Sequence, residues 1–250
     1  MQITEQIYIV GSLQLGISGR WDSHVYVVRG PKGSVMIDAG GGTDGELIIE
    51  NMRRDGLDPM DIKALLLTHN HFDHSCGAAE IRERTGCKVY LSNNTKDLLE
   101  NGSAEEAGLD NAKRQGTYPP DFVYRNCAVD VGLSGGERIN AAGLEFQAIA
   151  IDGHSPDSIC YLVEIDGKRN LFAGDVLFYG GVVGLINAKG STMDGYRRDL
   201  NKLSGLNIDG LFPGHFLFTV SGGQRHIDAA IEQCEKGLIP LTVGQIGVVF

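Results

Sequence analysis

The sequence predicts an α+β fold of two packed β-sheets with helices outside them, and three observations carry that expectation. Short apolar runs bounded by glycine recur along the chain and read as buried strands. Strands followed by a helix occur in each half of the chain, an order that suits layered sheets. The 35 glycines fall in pairs and triplets, such as Gly40-Gly41-Gly42, Gly135-Gly136, Gly180-Gly181 and Gly222-Gly223, which read as tight turns between short strands.

Taken in order, Ile7 to Val10, Val25 to Val28 and Val35 to Ile37 read as strands. Thr43 or Asp44 then caps a helix whose apolar face is Leu47, Ile48 and Met52 and which stops at Gly56. A buried strand, Lys63 to Leu67, precedes a helix from Ala78 to Thr85 and a strand from Lys88 to Leu91. Residues 93–126 are polar, helix-prone around Ala104 to Gln115 and broken at Tyr118-Pro119-Pro120. They read as a helical insertion in a single domain of 1–250, being too short and polar to bury a core alone. Their aromatics either line a substrate pocket or form an ordinary surface connection. From Val129 strands resume, with Leu144 to Ile151 and Cys160 to Ile165, the latter joined by a strong hairpin signal, Asp166-Gly167, to Asn170 to Ala173. Met193 to Leu203 and His226 to Lys236 read as helices around a strand end at Gly210 to Phe212. The uncharged stretch Leu238 to Phe250 packs on the body or on another subunit, so a homodimer is one expectation.

Composition bounds the function. A hydrophobic fraction of 42%, a charged fraction of 22% and a formal net charge of -10 describe a soluble globular protein. They disfavour a phosphate-backbone partner, which calls for clustered Lys and Arg. Five cysteines without a paired framework are expected to be reduced thiols in a cytoplasm. The N-terminus lacks a basic start and an apolar core, and no apolar run is long enough to cross a bilayer, so neither secretion nor membrane spanning is expected.

The chemistry concentrates in Thr68-His69-Asn70-His71-Phe72-Asp73-His74, which holds three of the seven histidines directly after a buried strand. Three imidazoles and a carboxylate are ligands that borderline divalent ions such as zinc prefer, and together they exceed a single ion's share. Three more candidates stand at strand ends flanked by glycine: His154, Asp175 and His215. Five His and two Asp spread over two ions leave positions open for water, as in a catalytic site.

The series His69-x-His71-x-Asp73-His74, then His154, Asp175 and His215 in that order, resembles the metallo-β-lactamase superfamily. The resemblance implies an αββα four-layer sandwich with the metals at one edge between the two sheets. It implies His69, His71 and His154 on one ion, Asp73, His74 and His215 on a second, and Asp175 bridging both. Asp38, after the third strand, matches the superfamily's early acidic position and is expected to orient a ligand histidine. Two divalent ions, zinc first, with manganese or iron(II) also compatible, would share a hydroxide at neutral pH that attacks a carbonyl, with Asp73 passing the proton to the leaving group.

Within the superfamily, the presence of Asp175 disfavours antibiotic hydrolysis, and His71 stands where the flavodiiron branch places glutamate. The layout from Ala173 to His215 is similar to glyoxalase II and to lactonases, which implies a hydrolase for an ester, thioester or lactone of a small metabolite. The chain departs from glyoxalase II in the loop Gly181-Val182-Val183-Gly184-Leu185 and is expected to lack that enzyme's C-terminal helical domain. Lactonases of this group place a tyrosine near the bridging aspartate; Tyr179 is one position later and is a candidate contact to the carbonyl oxygen. The persulfide dioxygenases are also similar, and their single iron would map to His69, His154 and Asp175. A metal-stabilised binding module is the non-enzymatic alternative. Of the remaining residues, Cys76 is expected to be buried on the following helix, His24 is a candidate substrate contact, and His226 is expected at the surface.

Overall fold

In a computed structural model the described residues are 1–106, 109–114, 116 and 118–246. The chain divides into two units, Met1–Leu133 with Asn140–Leu144, and Ser134–Ile139 with Glu145–Phe250.

The first unit is built on a six-stranded sheet. Strands β1 (Ile7–Gly11), β2 (Val25–Gly30) and β3 (Gly33–Ile37) pair antiparallel. Helix α1 (Gly45–Arg54) then carries the chain to β4 (Ile62–Leu66), which lies parallel to β3. A four-residue helix, α2 (Phe72–Ser75), and α3 (Ala78–Thr85) lead to β5 (Lys88–Ser92), again parallel. After α4 (Lys96–Asn101) and α5 (Leu109–Arg114), β6 (Val131–Leu133) closes the parallel half. Alternate strand residues, Tyr8, Val10, Val25, Val27, Met36, Leu65, Val89 and Leu91, form one core with Ile48, Ile49, Met52, Ala78 and Ile81 from α1 and α3. Each large side chain so buried contributes roughly 1.5–3 kcal/mol. The buried face of α1 uses Ile49, while Leu47 is half-buried, a rotation of the stripe by one position from the sequence reading.

The helix expected over Ala104 to Gln115 is shorter: α5 begins at Leu109, and α4 forms upstream of it. Residues 107, 108 and 115 of that expectation lie outside the described ones. The insertion does bury apolar surface, but on borrowed neighbours. Leu109, Ala112 and Tyr118 pack with Phe122 and Tyr124 and with Trp21 and Phe72 from elsewhere in the unit. Tyr118 also donates to the carbonyl of Gly41.

The second unit carries a five-stranded sheet. Its strands are β7 (Arg138–Ala141), β8 (Leu144–Ala150), β9 (Ile159–Ile165) and β10 (Lys168–Gly174), followed by the short pair β11 (Leu177–Phe178) and β12 (Val182–Val183). Helix α6 (Met193–Asp199), strand β13 (Gly210–Pro213) and helix α7 (Gln224–Glu235) complete it. The turn between β9 and β10 has positive φ at both Asp166 (51°) and Gly167 (73°), the signature of the tight hairpin that matches strand twist. Strands β8 and β10 are each antiparallel to β9, and β13 runs parallel to β10. The C-terminal ends of β8, β10 and β13 therefore point to the same edge of this sheet. Its core joins Ile149, Cys160, Leu171 and Leu211 to Tyr196, Leu200, Ile227 and Ile231 of the helical face.

The described part of the apolar tail meets this second unit at Val243, which is buried with Phe178 and Val182, while Leu238, Ile239, Leu241 and Ile246 are exposed. Val183 donates to Leu241 at 2.8 Å and accepts from Val243 at 3.2 Å, so the tail meets β12 in a single parallel bridge between Val183 and Thr242. Residues 247–250 of the tail lie outside the described ones. All five cysteines are free thiols, four of them buried, and no helix among the described residues is long and apolar enough to cross a membrane.

Candidate metal centre

The histidine cluster begins where β4 ends, and its geometry is set by Asp38. That residue follows β3 with φ +60°, a conformation aspartate tolerates because its short side chain bonds locally. Only 1% exposed, its carboxylate accepts from the Thr68 amide at 2.7 Å, the Thr68 hydroxyl at 2.8 Å and His74 Nδ1 at 2.8 Å. A carboxylate on Nδ1 fixes the tautomer, so the Nε2 lone pair of His74 is the one directed away from Asp38.

His69 is buried and His71, the residue before α2, is half-buried. His69 Nδ1 lies 3.0 Å from the Thr68 hydroxyl and its Nε2 lies 3.0 Å from His71 Nδ1. The His69 ring stands 4.1 Å from that of His74 and 4.5 Å from that of His71. Asp73 Oδ2 lies 3.6 Å from His74 Nε2, with the Asp73 side chain partly exposed. Imidazoles held this closely would repel one another if protonated, whereas neutral ones present lone pairs to a cation.

In the second unit, the common edge of β8, β10 and β13 brings His154, Asp175 and His215 together. The Gly214 amide donates to the Gly174 carbonyl at 2.8 Å, which ties the turns carrying Asp175 and His215. Asp175 Oδ2 lies 3.7 Å from His154 Nε2 and 3.5 Å from His215 Nε2, and all three residues are buried. His154 Nδ1 donates to the Gly184 carbonyl at 2.6 Å, which plays toward His154 the part Asp38 plays toward His74. Nothing in the sequence marked Gly184, because a backbone carbonyl has no residue signature. What a reader could have used is the packing requirement: a Cβ at Gly184 would stand 1.8 Å from the Asp175 carbonyl oxygen and 2.9 Å from His154 Nδ1.

Helix α6 lies against the turns carrying His154 and Asp175. The buried Tyr196 hydroxyl donates to the Val176 carbonyl at 3.0 Å. Burial, with the nearby Asp175 charge, holds that hydroxyl well above its ordinary pKa, so it stays a donor.

Tyr179 stands on the turn after β11, exposed, with its ring 4.1 Å from that of His226 and its hydroxyl 3.5 Å from an Arg225 nitrogen. His226 itself is not at the surface as its place at the start of a helix suggested. It is 6% exposed and accepts from the Gly180 amide at 3.0 Å, because the turn after β11 folds over the start of α7. Burial and the Arg225 charge lower its pKa, which keeps it neutral. His24 is buried edge-on to Tyr26 at 5.9 Å. Cys76 is buried after α2, and burial pushes its thiol up to about 12, far from the thiolate a metal takes.

Comparison with known proteins identifies the chain's family. A sequence profile of the metallo-beta-lactamase superfamily matches residues 18–215. The chain belongs to that superfamily. Among curated relatives, this superfamily member is 29% identical over 164 residues to the probable metallo-hydrolase YqgX of Bacillus subtilis, covering 66% of this chain and 70% of that one. It is 28% identical over 177 residues to the hydroxyacylglutathione hydrolase GloC of Haemophilus influenzae, covering 71% and 73%. Against the hydroxyacylglutathione hydrolase of Albidiferax ferrireducens, 29% identical, the match covers 64% of this chain but about half (49%) of that protein. Among solved structures, a metallo-beta-lactamase with a HARLDQ motif from Cronobacter sakazakii superposes with a TM-score of 0.71 over 95% of this chain and 96% of that one, at 19% identity. That likeness establishes the fold, the αββα metallo-beta-lactamase sandwich, and the superfamily match together with the hydrolase relatives supports a metal-dependent hydrolase.

Proposed function

We propose that the protein is a dinuclear hydrolase that cleaves the ester, thioester or lactone carbonyl of a small metabolite. The observation that carries this reading is the Asp175 carboxylate, with one oxygen 3.7 Å from His154 Nε2 and 3.5 Å from His215 Nε2. These spans exceed an ordinary hydrogen bond. Two atoms ligating one ion at about 2.1 Å in tetrahedral geometry stand about 3.4 Å apart. A carboxylate oxygen at that spacing from two imidazoles suits a ligand shared by two ions. The Asp73 to His74 distance of 3.6 Å fits the same measure.

In this reading His69, His71 and His154 would hold one ion, Asp73, His74 and His215 would hold the other, and Asp175 would be a ligand to both. Nitrogen and carboxylate donors without thiolate suit zinc, with manganese and iron(II) compatible. Bound ions supply Lewis acidity, lowering the pKa of a water toward neutrality and polarising the substrate carbonyl. The chain's own groups do the rest. Asp38 and the Gly184 carbonyl hold the Nδ1 protons of His74 and His154, which keeps each Nε2 available. Asp73, the partly exposed carboxylate of the set, would carry a proton to the leaving group. Tyr179 offers a hydroxyl to the carbonyl oxygen. The names of the hydroxyacylglutathione hydrolase relatives support a thioester, whereas the uncharged Gly181 to Leu185 loop argues for a substrate other than a glutathione conjugate.

The test is metal content per chain in protein purified without added metal, followed by a screen of thioesters and lactones. About two zinc or manganese ions with hydrolytic turnover are expected. One iron per chain, with oxygen consumed on persulfide addition, would overturn the reading in favour of oxidation at His69, His154 and Asp175.

A further inference from the structure

Three elements of the second unit meet at one side chain, Tyr196. Its ring lies under the turn that presents His154: a Cβ added at Gly153 would stand 2.7 Å from Tyr196 Cδ2 and Cγ and 2.8 Å from Cδ1. Helix α6 sits flush there, since a Cβ at Gly195 would stand 2.8 Å from the Asp152 carbonyl carbon. The Gly153 carbonyl is tied to the start of the same helix, accepting from the Thr192 amide at 2.8 Å and the Ser191 hydroxyl at 3.0 Å. At its other end, the Tyr196 hydroxyl donates to the carbonyl of Val176, the residue after Asp175. One rigid side chain thus touches the residue before His154 and the residue after Asp175.

We propose that Tyr196 is a positioning residue: a strut that sets the separation of His154 and Asp175 and thereby the affinity for the ion they share. This inference rests on the dinuclear reading above. A phenylalanine would fill nearly the same apolar volume but would leave the Val176 carbonyl with only the Gly184 amide, 3.5 Å away. A tyrosine ring has two side-chain torsions to fix, so packing at one end orients the hydroxyl at the other.

The experiment compares wild type, Tyr196→Phe, Gly153→Ala and Leu203→Ala. Leu203 lies in the same core cluster and gives a loss of packing without a bond to either turn. For each, the metal-free protein is unfolded in urea, zinc affinity is measured by competition with 4-(2-pyridylazo)resorcinol, and the visible absorption of the cobalt(II) form is recorded. Tyr196→Phe is expected to weaken one of the two zinc sites by about 10- to 100-fold, the range for losing a group that supports a ligand. It is also expected to alter the cobalt spectrum with little change in the urea midpoint. Gly153→Ala, which presses on the ring, is expected to weaken the same site. Leu203→Ala is expected to lower the urea midpoint and leave zinc affinity within about twofold of wild type. Wild-type zinc affinity and an unchanged cobalt spectrum in Tyr196→Phe would overturn the strut. So would an equal loss of affinity in Leu203→Ala, which would assign the effect to general packing. A wild type that takes up fewer than two ions would instead overturn the dinuclear reading itself.

Discussion

Replacing Asp38 with asparagine separates the two tasks its carboxylate performs. In the structure Asp38 Oδ1 accepts from the Thr68 amide at 2.7 Å, while Oδ2 accepts from the Thr68 hydroxyl at 2.8 Å and from His74 Nδ1 at 2.8 Å. Asparagine preserves the shape and one carbonyl oxygen. With that oxygen kept on the Thr68 amide, its NH2 group faces His74 Nδ1, which must then accept rather than donate. The imidazole proton moves to Nε2 and occupies the lone pair a metal would need. Exchanging charge-assisted bonds for neutral ones costs about 1–2 kcal/mol of stability. Zinc affinity, in contrast, is expected to fall about 10- to 100-fold. Asp38→Ala leaves three buried donors without this acceptor, and at 1–3 kcal/mol each, with partial relaxation, about 3–5 kcal/mol is expected to be lost. Urea unfolding of the metal-free protein and zinc competition read the two effects independently. Wild-type zinc affinity in Asp38→Asn, beside the stated loss of stability, would refute the tautomer argument.

Gly184→Ala places a methyl group where the Asp175 carbonyl oxygen now stands 1.8 Å away, so a loss of about 3 kcal/mol in unfolding experiments is expected together with weakened metal binding; a silent substitution would show that this turn yields. Burial raises the Asp199 pKa, but bonds from Arg198, Lys202 and the Asp152 amide outweigh it and leave the carboxyl below its ordinary value. A depressed carboxyl contributes stability above its unfolded pKa of about 3.9 and loses it as pH falls through the folded value. Asp199→Asn is therefore expected to lower the urea midpoint at pH 7 and flatten the acid side of the stability curve; an unchanged acid side would refute the assignment. Tyr179→Phe is expected to lower kcat on the order of 100-fold if its hydroxyl meets the substrate carbonyl, and unchanged turnover would remove Tyr179 from the mechanism.

Sequence reading succeeded where one residue type serves one physical purpose. The Asp166-Gly167 pair specifies its turn through positive φ, and the apolar runs that end in His69, Asp175 and His215 are strands whose ends hold those residues. It failed where structure depends on partners distant in the chain. The insertion over residues 93–126 reads as helical around Ala104 to Gln115, but α4 forms at its start and buries Leu99, because the first unit's core accepts that side chain. Strands β11 and β12 are two residues each, below what periodicity can register. His226 looked like a helix-start surface residue, yet the turn at Gly180 needs its ring nitrogen as an acceptor. Gly184 and Tyr196 act through a carbonyl and through shape, which leave no local pattern.

The bridge between the tail and β12 bears on the order of assembly. Leu241 and Val243 clasp both backbone groups of Val183, and the next residue, Gly184, supplies the carbonyl that orients His154. During synthesis His154 emerges long before the segment that steadies its anchor. A nascent chain therefore carries His154 before the two backbone bonds on Val183 can form, and clipping near residue 240 is expected to remove those bonds from a mature chain.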